Sequence, residues 1–182
     1  MSVGWRNSLL PSAARVNVAY LIVTGTTTSP LAAEIVRGLV ERFEQVITIA
    51  TPHAARVVAP RDLSVIPGNR LVESYFDAAI LPRPPDGLVL VAPCSFNSLN
   101  KLAGGIADNL ALSVTAEAIG RGTPVIVALS VNPPLYAHPR TAQSVATLRS
   151  WGVSVLEPED TGEGLRLAPT ASILAEVERR NT

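Results

Sequence analysis

Four short runs of almost uninterrupted apolar residues constrain this chain more than anything else in it: VNVAYLIV at 16–23, QVITIA at 45–50, LVLV at 88–91 and PVIVAL at 124–129. A strand that is apolar at nearly every position, rather than at alternate ones, is buried on both faces. That is the situation of a strand in a parallel sheet covered by helices on either side. The segments between the runs change period. After Ser29-Pro30, the residues Leu31, Ile35, Leu39 and Val40 recur at helical spacing, with Ser29 as the expected N-cap and Pro30 suited to a first turn. Residues 141–151 read as an amphipathic helix with Val145 and Leu148 inward, 153–156 as a last strand, and 173–177 as part of a terminal helix. A short helix is expected at 54–58. Pro60, Pro67, Pro82, Pro84 and Pro85 predict an irregular connection with one short strand or helix near Leu71 to Phe76.

Strands alternating with helices imply right-handed crossovers, and hence an α/β fold: a three-layer α/β/α sandwich around a Rossmann-like parallel sheet. The 182 residues fit a single domain. Its expected extent is 16–182, preceded by an N-terminal arm at 1–15 that carries Trp5, Leu9 and Leu10. Ligands of such folds gather beyond the carboxyl ends of the strands. Four loops are expected there: 25–29, 51–53, 94–98 and 130–132.

Fifteen basic residues balance fifteen acidic ones. Nothing therefore pulls the chain toward nucleic acid or an anionic membrane. No segment approaches the roughly 18 continuous apolar residues of a membrane-spanning helix. The single cysteine, Cys94, permits no intrachain disulfide and no multi-cysteine metal cage, so no metal site is expected and a reducing, cytoplasmic setting follows.

The loop GTTTSP at 25–30 places one glycine and four hydroxyls between a strand and a helix, a set that suits a phosphate or sugar. It matches neither GxGxxG nor a Walker loop. The segment LVLVAPCSFNSLNKLAGGIADNL at 88–110 runs from a strand through the small polar residues Ser95, Asn97 and Ser98 into a helix. Gly104-Gly105 inside that helical pattern costs about 1 kcal/mol per glycine, so close packing or a break between two helices is expected there. Cys94 reads as a small buried residue, Lys101 as a solvated helix residue, and His138 as a surface residue at a helix start. His53 follows a strand end where ligands collect. No Ser/His/Asp or HExxH pattern supports a hydrolase.

APCSFNSLNKLAGGIADNL resembles the PASANT motif and following helix of the homo-oligomeric flavin-containing cysteine decarboxylases, the family of phosphopantothenoylcysteine decarboxylase and the lantibiotic peptide decarboxylases. The likeness extends over most of the chain from Val16. GTTTSP is similar to the family's FMN phosphate loop, and Asn132 in LSVNPPLY matches the asparagine of PxMNxxMW. The resemblance implies FMN as cofactor. Gly25, Thr26, Thr27 and Ser29 would lie at its phosphate end, Thr51 and His53 on the second loop, Ser95, Phe96, Asn97 and Ser98 on the third, and Ser130 on the fourth. Asn132 would orient the substrate, a small molecule or peptide. FMN would accept two electrons from the substrate's thiol side, and the oxidised substrate would lose carbon dioxide. The resemblance also implies a homotrimer or a homododecamer.

Three departures stand out. Ungapped counting places the family's catalytic histidine on Ala79. The flap that bears a cysteine in the phosphopantothenoylcysteine enzymes is reduced here to EDTGEGLR, and Leu129, Val131, Leu135 and Tyr136 replace the proline, methionines and tryptophan of PxMNxxMW. Two readings follow. One is an FMN-dependent, decarboxylase-like lyase or oxidoreductase acting on a peptide C-terminal cysteine or a related thiol carboxylate, with His53 as candidate base. The other is a flavin-binding subunit that works with a partner protein, similar to the B subunit of dipicolinate synthase, whose loops also lack that histidine.

Overall fold

The structure, a computed structural model, describes residues 16–182. The expected arm at 1–15 lies outside the described residues. Six parallel strands form one sheet in the order β3-β2-β1-β4-β5-β6, where β1 is Val18–Val23, β2 Gln45–Ala50, β3 Asn69–Leu71, β4 Leu88–Cys94, β5 Val125–Leu129 and β6 Ser154–Leu156. Helix α1, Ala32–Val40, links β1 to β2, and the short α2, Pro60–Ser64, links β2 to β3. Between β4 and β5 come α3, Phe96–Ala103, and α4, Leu110–Arg121; α5, Pro133–Tyr136, and α6, Pro139–Ser150, lead to β6. A two-stranded hairpin, β7 Glu159–Asp160 with β8 Leu165–Arg166, precedes the last helix, α7 Thr170–Arg180.

The apolar runs are buried on both faces, as their composition requires. In β1, Tyr20 and Ile22 join a core with Ile47, Val89, Val91, Leu99, Leu112 and Leu148. Ala19, Leu21 and Val23 face the opposite side, with Leu88, Leu90, Ile35, Leu39, Ile173 and Val177. Each such side chain removed from water contributes roughly 1.5–3 kcal/mol. Together the two cores fix the sheet between two helical layers.

Three boundaries differ from expectation. Strand β4 continues past Val91 to Cys94, with a register shift against β5 between Val91 and Cys94. Proline cannot donate to a ladder, yet the Pro93 carbonyl is fully used: it accepts from the Thr24 amide at 3.3 Å and the Thr24 hydroxyl at 2.8 Å. The short strand of the proline-rich connection sits at Asn69–Leu71, because Asn69 is anchored by Thr48 Oγ1 at 2.7 Å and by its own amide donation to Leu63 O at 2.8 Å. Ser29 does not cap α1. It lies inside a 3₁₀ turn at Ser29–Leu31, fully buried, with its hydroxyl donating to Thr24 O and Thr26 O.

The glycine pair breaks the helical pattern in two. Gly104 ends α3, and Gly105 takes φ +69°, a left-handed conformation that glycine adopts without a Cβ penalty. Among the described residues, no helix is long and apolar enough to cross a membrane.

Candidate functional site

The strand order reverses between β1 and β4, since β2 and β3 lie on one side of β1 while β4, β5 and β6 follow on the other. The loops leaving β1 and β4 diverge there and open a crevice, the usual ligand position of a doubly wound sheet. A cleft of about 870 Å³ occupies that place. It is lined by all four expected loops: Gly25, Thr26, Thr27 and Thr28; Thr51, Pro52 and His53; Ser95, Phe96, Asn97 and Ser98; Ser130, Val131 and Asn132. Of the site residues read from sequence, only Ser29 is absent from the lining. Its hydroxyl, turned inward, also accepts from the Thr26 amide at 2.9 Å and so shapes the loop from behind.

Neighbouring loops are bound to one another by hydroxyls. Thr28 Oγ1 lies 2.7 Å from Ser130 Oγ, joining the first loop to the fourth. The buried Thr24 hydroxyl joins the first to the third, donating to Pro93 O and accepting from the Ser95 amide at 2.8 Å. Thr24→Val keeps the shape but leaves the Ser95 amide without its acceptor, at a cost of about 1–3 kcal/mol. A lowered melting temperature together with weakened ligand binding in the cleft is the expected result; a variant equal to wild type in both would refute this role.

Three helices begin at the cleft, each capped by its own side chain. Ser95 Oγ accepts from the Ser98 amide at 3.3 Å, Asn109 Oδ1 from the Leu112 amide at 3.1 Å, and Asn132 Oδ1 from the Leu135 amide at 3.0 Å. The cap settles which way the Asn132 amide is turned. Its oxygen is occupied by the backbone, so the NH₂ remains as a pair of donors on a residue that lines the cleft.

The lining is amphiphilic. Thr26, Thr27, Thr28 and Ser130 supply hydroxyls, the Phe96 and Asn97 amides open α3 without intrahelical acceptors, and Leu112, Val131, Leu135 and Leu165 supply apolar surface. Neutral donors at a helix start suit a phosphate, and the apolar members suit a planar ring. The residues present therefore fit a phosphorylated flavin.

Several contributors were not read from sequence. Asn109 and Leu165 line the cleft, as does Lys101, which reads from sequence as a solvated helix residue. Asn109 stands just before an apolar run, where an N-cap signal was available. Leu165 belongs to the β7–β8 hairpin, and no local pattern betrays its approach to the cleft. Cys94 is fully buried, and burial pushes its thiol pKa up to about 12, so it stays protonated and inert. His138 is exposed at the start of α6, its Nδ1 accepting from the Arg140 amide and its ring 5.3 Å from that of Phe96. Ala79 is not among the residues that line the cleft, and its amide donates to Asp77 Oδ1 at 2.8 Å.

Comparison with known proteins agrees with this geometry. The bifunctional coenzyme A biosynthesis protein CoaBC of Mycobacterium tuberculosis is 33% identical over 141 residues, 75% of this chain and 33% of that protein. The chain thus spans about a third of the length of that curated relative. A solved structure of a PPC decarboxylase mutant complexed with pantothenoylaminoethenethiol superposes with a TM-score of 0.77 at 19% identity, covering 91% of this chain and 98% of that one. An FMN-dependent cysteine decarboxylase, SpaF, superposes with a TM-score of 0.73 at 22% identity, covering 94% and 100%. At these identities the superpositions speak for the fold. The family profile described as Flavoprotein matches residues 12–182, and with the switch-point cleft and its donor loops already in place, the chain belongs to that flavoprotein family, to which the flavin-containing cysteine decarboxylases pointed.

Proposed function

We propose that this chain is an FMN-binding, decarboxylase-like enzyme acting on a cysteine-containing peptide C-terminus or a related small thiol carboxylate. The observation that carries the reading is the Asn132 amide, whose oxygen is committed to the Leu135 amide while its donor face is left for a carboxylate. Thr26 and Thr27, with the amides that open α3, would hold the phosphate, and Leu112, Val131 and Leu135 would border the ring. Ser95 and Ser98 stiffen the third loop through their 3.1 Å hydroxyl contact. When bound, FMN would take up the two electrons released as the thiol-bearing carbon of the substrate is oxidised, and the oxidised substrate would lose carbon dioxide. This chain's residues supply binding and orientation. His53, exposed on the cleft wall, is the group proposed to take the proton.

Purified protein is expected to show flavin absorption bands that bleach on anaerobic addition of a thiol carboxylate. A colourless protein that rejects added FMN would sink the reading. Asn132→Asp retains an N-capping oxygen but replaces the donor pair with an anion. It is expected to lower turnover by on the order of a hundredfold or more, the scale of losing a charged hydrogen bond and gaining repulsion, with little change in melting temperature. Turnover unchanged in His53→Ala would remove that residue from the mechanism.

One observation favours a second reading, a flavin-binding subunit acting with a partner protein: His53 is the only histidine lining the cleft, and Ala79 is not among the lining residues. Flavin binding without bleaching by any thiol carboxylate would favour this subunit over the enzyme. A homotrimeric or homododecameric assembly belongs to the same proposal, and sedimentation of the purified protein tests it.

A further inference from the structure

Among the described residues, Lys101 is the only lysine or arginine in the cleft lining, and Asp108 the only carboxylate. The two are joined at 2.5 Å, the ammonium to Asp108 Oδ2. Their surroundings are not symmetrical. The Asp108 carboxylate also accepts from Asn109 Nδ2 at 3.2 Å, and it stands just ahead of the start of α4, where the helix dipole favours negative charge. Its pKa is lowered, first of all by the hydrogen bond from Lys101. The ammonium has three donors and makes one hydrogen bond among the described residues, which leaves two free to reach a ligand. The backbone agrees with the side chains: Lys101 O accepts from the Ile106 amide at 2.8 Å, closing the turn that brings Asp108 back to α3. Asp108 thus has compensation beyond Lys101, while Lys101 has donors to spare.

We propose that Lys101 is an anion-positioning residue, held at the cleft wall by Asp108 and shared between that carboxylate and an anionic group of the bound ligand. This rests on the flavin reading above. The recognised chemistry is an oxyanion, either the phosphate of FMN or the carboxylate of the substrate. In both cases Asp108 does two things: it fixes where the ammonium sits, and it competes with the ligand for it.

That competition sets the sign of the test. Apoprotein is titrated with FMN and with riboflavin, which lacks the phosphate, by quenching of flavin fluorescence; the FMN-loaded protein is then titrated with cysteine and with cysteamine, which lacks the carboxylate, by perturbation of the flavin spectrum. Inorganic phosphate, followed by calorimetry on the apoprotein, gives a reading that does not depend on flavin. Lys101→Met is expected to weaken an oxyanion ligand by about tenfold or more, the scale of a charge-assisted hydrogen bond. Asp108→Asn is expected to tighten the same ligand by a few fold, because it frees the ammonium. If the loss appears with FMN but not riboflavin, the phosphate is the partner; if it appears with cysteine but not cysteamine, the carboxylate is.

A pair that merely clasped α3 to α4 would lower affinity in both variants, for charged and uncharged ligands alike. That result, or no change in either variant with any anion, overturns the proposal. Wild-type protein that takes up no FMN overturns the proposed function instead, and the phosphate titration still decides for or against Lys101.

Discussion

Replacing Gly25 with alanine is expected to weaken binding of the proposed FMN by roughly ten- to a hundredfold while leaving the sheet folded. A Cβ at that position would lie 2.9 Å from the carbonyl carbon of His53 and 2.9 Å from its Cβ. The first contact is with backbone, so no side-chain rotation relieves it. The first and second loops would have to part, and forced overpacking of this kind costs about 1–3 kcal/mol, which corresponds to that range of affinity if it falls on the bound state. Both loops line the cleft, so the displacement lands where the ligand sits. A fluorescence-quenching titration with FMN measures the effect, and a melting curve shows whether the fold has survived. Affinity equal to wild type would mean that the loops tolerate separation and do not define the site.

The second large effect concerns stability. Leu90→Ala removes a fully buried side chain from β4, a strand flanked by β1 and β5 in the middle of the sheet. Leu90 packs in the core that also holds Leu21, Leu88 and Ile173. Truncation there forfeits burial and leaves a cavity whose walls, made of strand and helix, relax little. The expected cost is about 2–5 kcal/mol, a large share of the 5–15 kcal/mol typical of a folded domain. Urea denaturation measures it, and a loss under about 1 kcal/mol would contradict the packing described above.

The layers of the fold were legible because they depend on local pattern. The runs at 45–50 and 124–129 could hardly be anything but strands in a doubly covered sheet, and they appear as β2 over Gln45–Ala50 and β5 over Val125–Leu129. The break at Gly104-Gly105 was equally readable from the energetic cost of two glycines in a helix. Strand order was not: nothing local says that β1 pairs with both β2 and β4, although that pairing is what opens the cleft.

The same division runs through the site. The loops that follow strands were found at once, since position after a strand places them at the carboxyl edge. Lys101 reads as solvated because it is a helix residue one turn beyond the loop, and nothing local points to the cleft. Only the return of the chain through Ile106 reveals that Asp108 stands opposite it. Ser29 erred in the other direction. A serine before a proline carries the signal of an N-cap, and here Thr24 O and Thr26 O took its hydroxyl instead.

The position of the cleft between β1 and β4 has a thermodynamic consequence. Its walls come from segments near residues 25, 51, 95, 109 and 131, so they coexist only once the pairing of β1 with β4 has closed a loop of some sixty-five residues. No partly folded form that lacks this pairing can present the complete site. A ligand that needs the whole cleft therefore binds the native state alone, and mass action then shifts the folding equilibrium toward that state, by about 2.7 kcal/mol when free ligand stands at a hundred times its dissociation constant. For a chain of this topology, cofactor occupancy and resistance to unfolding are one linked quantity, and the level of flavin around the protein becomes a determinant of how much of it remains folded.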